Sequence, residues 1–436
     1  MSVARRTFAL ALVAALAAPC VQSEPMFRGG AGHAGASAER APRTLHRVKW
    51  TFPTGDRIVS SPVVDGGVVY VGSDDGSVYA VDAASGTLRW QRRTGGPVAS
   101  TPAIANGRLY VASYDGKVYA LDARTGEPLW KFATGGERRF EAKGLHGMLP
   151  KQQTIADPFD VFLSSPVVAD GTVYVGSGDG NLYALDAATG EPRWTFRTGN
   201  VVHASPAFAD GIVFVGSWDG DFYAVDAKTG AEKWRFHGGQ DPAIHNQVGF
   251  QSSPAVVDGV VYVGCRDANL YAIDAATGKE KWRVDHEGSW VVASPAVAGG
   301  RVYYATSDSS LYLVVEAATG KTLVRRDSRA FVFSSPQVAG DVVLVGVLNG
   351  TLEARDAASG EMLWEFQTEA SRRNEGWVLT AERRFNAPLL FRSSWREAPI
   401  VASARQADVG AVFSSPLVAG GVVYFGSADG RLYALE

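Results

Sequence analysis

The strongest constraint on this chain is a phrase of residues that recurs from Ser60 to the C-terminus: Ser-Pro, a Val-rich pair, a Gly turn, Val-Tyr-Val-Gly-Ser, Asp-Gly, Leu-Tyr-Ala-Leu-Asp-Ala, Thr-Gly, then Trp. Its marker prolines are Pro62, Pro102, Pro166, Pro206, Pro254, Pro295, Pro336 and Pro416, spaced by 40, 64, 40, 48, 41, 41 and 80 residues. A basic period near 40 therefore carries three insertions, Glu137 to Asp160, Gly238 to Gly249 and Ser371 to Gly410. Eight units of four short strands at that period predict an all-β, eight-bladed β-propeller. The 436 residues, which by length alone suggest about three domains, are instead one array over 46–436.

Each unit parses physically. The Val68–Val71 and Val260–Val263 runs are apolar at every position, as expected of strands covered on both faces by neighbouring blades. The Asp-Gly pairs (Asp75-Gly76, Asp179-Gly180, Asp219-Gly220, Asp429-Gly430) supply the positive φ of tight hairpins. Asp-Ala-x-Thr/Ser-Gly then turns the third strand into the fourth. Trp90, Trp130, Trp194, Trp234, Trp282 and Trp364 open the fourth strand, where a large flat side chain wedges between blades. The last unit stops three strands in at Glu436, whereas Trp50-Thr51-Phe52-Pro53-Thr54-Gly55 reads like Trp194-Thr195-Phe196-Arg197-Thr198-Gly199. The N-terminal strand is therefore expected to complete the eighth blade, with Trp50 in its docking position, and to close the ring.

The stretch Ala184-Leu185-Asp186-Ala187-Ala188-Thr189-Gly190-Glu191-Pro192-Arg193-Trp194 resembles the tryptophan-docking motif of pyrroloquinoline-quinone (PQQ)-type propellers, and it recurs in six of the eight blades. Blade six departs, with Glu316 for Asp and Val324 for Trp. The resemblance implies the fold. It leaves function open, because similar propellers serve quinoprotein dehydrogenases and also a non-catalytic lipoprotein of the outer-membrane β-barrel assembly machinery.

Residues 1–23 read as an export signal, with Arg5 and Arg6 before an apolar run from Phe8 to Ala18 that is too short to span a membrane. The mature protein is accordingly expected in the periplasm, with cleavage after Ala17 or Ser23. Lipidation at Cys20 is the weaker option because Pro19 precedes it. Residues 24–45 lack periodicity and read as an N-terminal tether or a segment laid over the body. The 42 basic and 45 acidic side chains make nucleic acid an unexpected partner. Two cysteines, Cys20 and Cys265, build neither a disulfide scaffold nor a Cys-ligated zinc site. Cys265 reads as a buried thiol.

All three insertions fall in connections entering the Ser-Pro strands, on the same face as the Asp-Gly hairpins, which marks that face as functional. The residues four before each marker Pro are uniformly apolar, as expected of packing between blades. One position later come Val59, Ala99, Leu163, His203, Gln251, Val292, Phe333 and Phe413, which strand alternation turns toward the channel. His203 and Gln251 are the polar members, and Trp218, Arg266, His245, Asn246 and Trp290 lie nearby on the same face. These seven side chains either tie down an insertion or form a ligand or partner pocket at the channel mouth. The third insertion carries Arg372, Arg373, Arg383, Arg384, Arg392, Arg396 and Arg405 with four aromatics, which suits either an anion clamp or a solvated loop packed on the rim. No catalytic or metal-binding motif is visible. The expected role is a monomeric, non-catalytic scaffold for a periplasmic or outer-membrane protein, without cofactor. The alternative is a PQQ- and Ca²⁺-dependent dehydrogenase of an alcohol or sugar, and a third option is a small-ligand sensor.

Overall fold

A computed structural model describes residues 25–147, 150–239, 249–390 and 398–436. Eight four-stranded antiparallel sheets follow one another around a central bore. The first blade sets the pattern, running outward through Val63–Asp65, Val68–Ser73, Ser77–Asp82 and Leu88–Arg93. The eighth joins Leu417–Ala419, Val422–Gly426 and Arg431–Leu435 to the N-terminal strand Val48–Pro53, which pairs antiparallel with Arg431–Leu435. The chain's two ends thus close one blade, as the truncated last repeat requires.

Every blade is tied to the next at two radii. Near the bore, the N–H of each Ser or Thr preceding a marker Pro donates to the hydroxyl of its counterpart one blade on. These bonds run Ser61 to Thr101, Ser165, Ser205, Ser253, Ser294, Ser335, Ser415 and back to Ser61, a closed circuit of eight bonds at 2.9–3.1 Å. Toward the outside, the indole N–H groups of Trp50, Trp90, Trp130, Trp194, Trp234 and Trp282 donate at 2.9–3.1 Å to the carbonyls of Ala83, Ala123, Ala187, Ala227, Ala275 and Ala317 in the following blade's Asp-Ala-x-Thr/Ser-Gly turn. Each ring lies over that turn's glycine, where φ is positive and a Cβ would sit within 3 Å of the indole, as at Gly86 and Gly126. Blade six, with Val324, leaves this slot short of volume. Val324 and Tyr312 lie over the Gly360 turn, Arg301 of the same blade donates to the Ala357 carbonyl at 3.3 Å where a tryptophan does so elsewhere, and the buried Arg355 of blade seven donates to Glu353, to the Gly360 carbonyl at 3.0 Å and to the Asp327 carbonyl of blade six at 2.9 Å. Trp364 faces a different gap, since blade eight has no third-to-fourth-strand turn. Its indole donates instead to the Pro42 carbonyl at 2.8 Å.

Hairpins and insertions share one face, here the loop face. The hairpin carboxylates show this directly, because Asp75, Asp115, Asp179, Asp219 and Asp267 each accept the N–H of the glycine that follows the preceding blade's fourth strand. The opposite, turn face is closed by residues 25–41, which are no free tether but a plug laid across the bore. Its carbonyls accept the N–H groups of Ile104, Phe208, Val256, Val297 and Val338, each two residues after a marker Pro. Ala36–Ser37 adds a parallel strand to Gln337–Ala339 of blade seven, and buried Arg28 donates to the carbonyls of Pro295 and Pro336. Cys265 is buried, and no helix among the described residues is long and apolar enough to cross a membrane.

Candidate functional site

The positions expected to face the bore do so. Val59, Ala99, Leu163, Val292, Phe333 and Phe413 form one apolar cluster with Trp290. Below it lies a cavity of only about 40 Å³, bordered by His203, Gln251 and the hydroxyl circuit and floored by Phe27 of the plug.

Above the cluster, the first insertion fills the mouth. It forms a small hairpin of Glu141–Lys143 against Thr154–Ala156, and its base carries three carboxylates, Glu137, Asp157 and Asp160. His203, fully buried, stands between two of them, with Nδ1 2.8 and 2.9 Å from the Asp160 oxygens and Nε2 2.8 Å from Glu137. Burial disfavours its charge, but Asp160 and Glu137 outweigh burial and push its pKa up to about 10. His203 is therefore an imidazolium at neutral pH, donating from both nitrogens. The stability this adds is complete below the ordinary imidazole range near pH 6.5 and is lost as pH rises through about 10. Melting temperature is expected to fall more steeply between pH 7 and about 10.5 in the native protein than in His203→Gln, and parallel profiles would refute the assignment.

Arg266 reaches into the mouth from the blade-five hairpin. Its guanidinium lies between two indoles, 3.7 Å from the Trp290 ring centre and 4.6 Å from that of Trp218, and Nη1 donates to Asp157 at 2.6 Å. The free face of Trp218 is covered by Phe140 of the insertion, stacked at 4.4 Å and 6°. Asp157 also meets His146 at 3.1 Å and accepts the Phe159 N–H. Burial alone would raise the Asp157 pKa, yet Arg266 and His146 bring it well below the usual carboxylate range. Gln251 donates to the Phe159 carbonyl at 2.8 Å.

Five of the seven expected mouth residues are thus brought together: His203, Trp218, Gln251, Arg266 and Trp290. Each of them packs on or bonds to the first insertion, although the second lies nearer in sequence to most of them. His245 and Asn246 lie outside the described residues. The partners that sequence reasoning missed are Glu137, Phe140, Asp157 and Asp160; a cluster of three acids with an aromatic residue, entering a mouth lined by His and Arg, was the available signal. In the third insertion, Arg372 donates to the Gln367 carbonyl, Arg373 faces Glu369, Arg383 pairs with Glu365 and Arg384 with Asp327. Its described arginines mostly neutralise local acids. Arg392 and Arg396 lie outside the described residues. The helix Ala398–Asp408 touches the first insertion through Ser403, which donates to the Pro158 carbonyl at 3.1 Å.

The described residues at this mouth do not fit a bound quinone. Ligand pockets for molecules of that size run to about 300–1,000 Å³, whereas the cavity below the apolar cluster holds about 40 Å³. The faces of Trp218 and the Asp157-bound edge of Arg266 are already occupied. Asp267, beside Arg266 on the hairpin, already accepts from Gly239, Asn269 and Tyr271.

The comparisons agree with the repeat. A search of curated protein sequences finds no match. Among solved structures, BamB from Moraxella catarrhalis superposes with a TM-score of 0.63 at 17% identity, over 90% of this chain and 98% of that one. A europium-containing methanol dehydrogenase gives 0.68 at 15% identity over 95% and 98% of the two chains. The quinohemoprotein alcohol dehydrogenase of Comamonas testosteroni gives 0.66 at 16% identity over 95% and 80%. At such identities these likenesses speak to fold alone. The sequence profile of the family described as outer membrane protein assembly factor BamB matches residues 32–159, 151–283, 246–314 and 266–384. Those matches span most of the array, and the chain belongs to that family of PQQ-like propellers.

Proposed function

We propose that this protein is an exported, non-catalytic binding scaffold of the bacterial envelope, acting in outer-membrane protein assembly through protein partners. One observation carries the reading: the mouth where a dehydrogenase of this fold would hold its cofactor is filled by the chain's own Phe140, Asp157 and Asp160. What a partner meets on the loop face is then the insertions themselves, including Trp377, 61% exposed, and Ile400, 49% exposed. Aromatic side chains displayed with arginines on a rigid disc are the residue types that dominate protein interfaces. Membership of the assembly-factor family supports the same reading.

Two measurements test it. Titration of the purified protein with PQQ and Ca²⁺, followed by Trp fluorescence and a dye-linked assay on alcohols and sugars, should give neither saturable quenching nor turnover. Submicromolar quenching with turnover, abolished by Arg266→Ala or Trp218→Ala, would replace the scaffold with the quinoprotein. Affinity purification from detergent-solubilised envelopes should recover β-barrel assembly components, less so with Trp377→Ala. Mass spectrometry of the exported chain should show it shortened by about 17 to 23 residues; a lipid on Cys20 would make it an anchored lipoprotein.

A further inference from the structure

The plug on the turn face does not complete its circuit. Inner strands of propeller blades have one free edge toward the bore, and here single carbonyls of the turn-rich plug meet it in blades two, four, five and six, while the strand Ala36–Ser37 pairs with it in blade seven. In blade three the Val168 N–H likewise meets no plug carbonyl among the described residues, but Val168 shares a buried cluster with Met26 and Ala31 of the plug. Blades eight and one remain. The N–H groups of Val418 and Val64, at the equivalent position two residues after the marker Pro, have no partner among the described residues. The carbonyls of Pro416 and Pro62, counterparts of those that Arg28 engages in blades six and seven, also accept nothing there. In front of these two edges is an open groove of about 240 Å³, walled by Met26, Val63, Val64, Leu417 and Val418, with Glu39 at its rim.

We propose that this groove is a strand-addition site for an extended, apolar-polar alternating segment of a partner polypeptide, which pairs with the inner edges of blades eight and one. The occupant is argued from continuity. The plug's own strand Ala36–Ser37 already pairs in parallel with Gln337–Ala339 of blade seven, and the groove begins at the next blade around the ring. The inner-edge N–H groups of five blades donate to main-chain carbonyls, and edge donors and acceptors flanked by apolar walls select an extended backbone with every second residue apolar. The site is on the face opposite the insertions, and the inference goes beyond the scaffold reading and does not rest on it.

The test uses the full chain and a fluorescein-labelled heptapeptide of alternating Val and Thr, read by anisotropy and by amide hydrogen exchange. In the free protein, the Val64 and Val418 amides should exchange fast while those of Val256, Val297 and Val338 are protected; the peptide should slow the first two. Val64→Pro and Val418→Pro remove donors that bond to nothing among the described residues, and each should weaken binding about tenfold. A peptide N-methylated at alternate residues should fail on the native protein, which keeps the test valid if a proline variant misfolds. Unchanged affinity in both folded proline variants, equal binding of the N-methylated peptide, or protection of Val64 and Val418 before any peptide is added would overturn the proposal. The last outcome would assign the groove to residues preceding Pro25.

Discussion

Arg266→Ala is expected to lower the stability of the protein by about 3–5 kcal/mol, the range for removing one partner of a buried ion pair. The expectation rests on what remains. Asp157, fully buried, would keep His146 but lose its guanidinium, and the slot between Trp218 and Trp290 would be empty. Two unlike losses, an uncompensated charge and a cavity, then fall on one position. Urea unfolding followed by tryptophan emission measures the total, and limited proteolysis within 137–160 shows whether the insertion lifts first. The double variant Arg266→Met with Asp157→Leu separates the two losses, because replacing a buried pair by apolar groups is far milder than breaking it. If the single variant costs less than about 1 kcal/mol, the insertion is held by something other than this pair.

Trp50→Ala is expected to cost a comparable ~3–5 kcal/mol, and its kinetic signature should differ. Trp50 belongs to the strand that completes the eighth blade against Arg431–Leu435, and its indole crosses from blade eight to Ala83 of blade one. Truncation removes that bond and opens a slot at the seam, so unfolding should accelerate with little change in the folding limb if the seam closes late. Trp194→Ala removes an equivalent contact between blades four and five, within the array. Equal acceleration in the two variants would show that the seam is not where the ring opens.

How far the sequence was legible follows from how far its interactions reach. The strands, hairpins, turn glycines and interblade tryptophans repeat every ~40 residues, so each blade confirms the reading of the others. The alternation that put His203 and Gln251 in the bore is equally local. The first insertion was not legible in this way. Its acids meet partners 43, 66 and 109 residues away, at His203 and Arg266, and nothing periodic couples those positions. The plug was hidden for another reason. Its bonds are made chiefly by backbone carbonyls, and since every residue offers one, Gly32 and Ala34 carry no trace of their roles. Blade six shows a middle case: the missing tryptophan at Val324 was plain in the sequence, but not that Arg301 bonds the Ala357 carbonyl in its place or that Arg355 reaches back to Asp327.

The hydroxyl circuit near the bore sets a clock on biogenesis. Seven of its links join repeats that leave the ribosome one after another, but the eighth, Ser415 to Ser61, spans 354 residues, and the strand that seals the seam ends one residue before the terminus. A nascent chain can stack its early blades and still hold an open arc, with bare strand edges at both ends, until the strands of the eighth blade arrive. Contacts so distant in sequence form slowly, and exposed edges invite pairing with other chains in the interval. Loss of the strand Arg431–Leu435 would therefore open the whole ring rather than remove one strand.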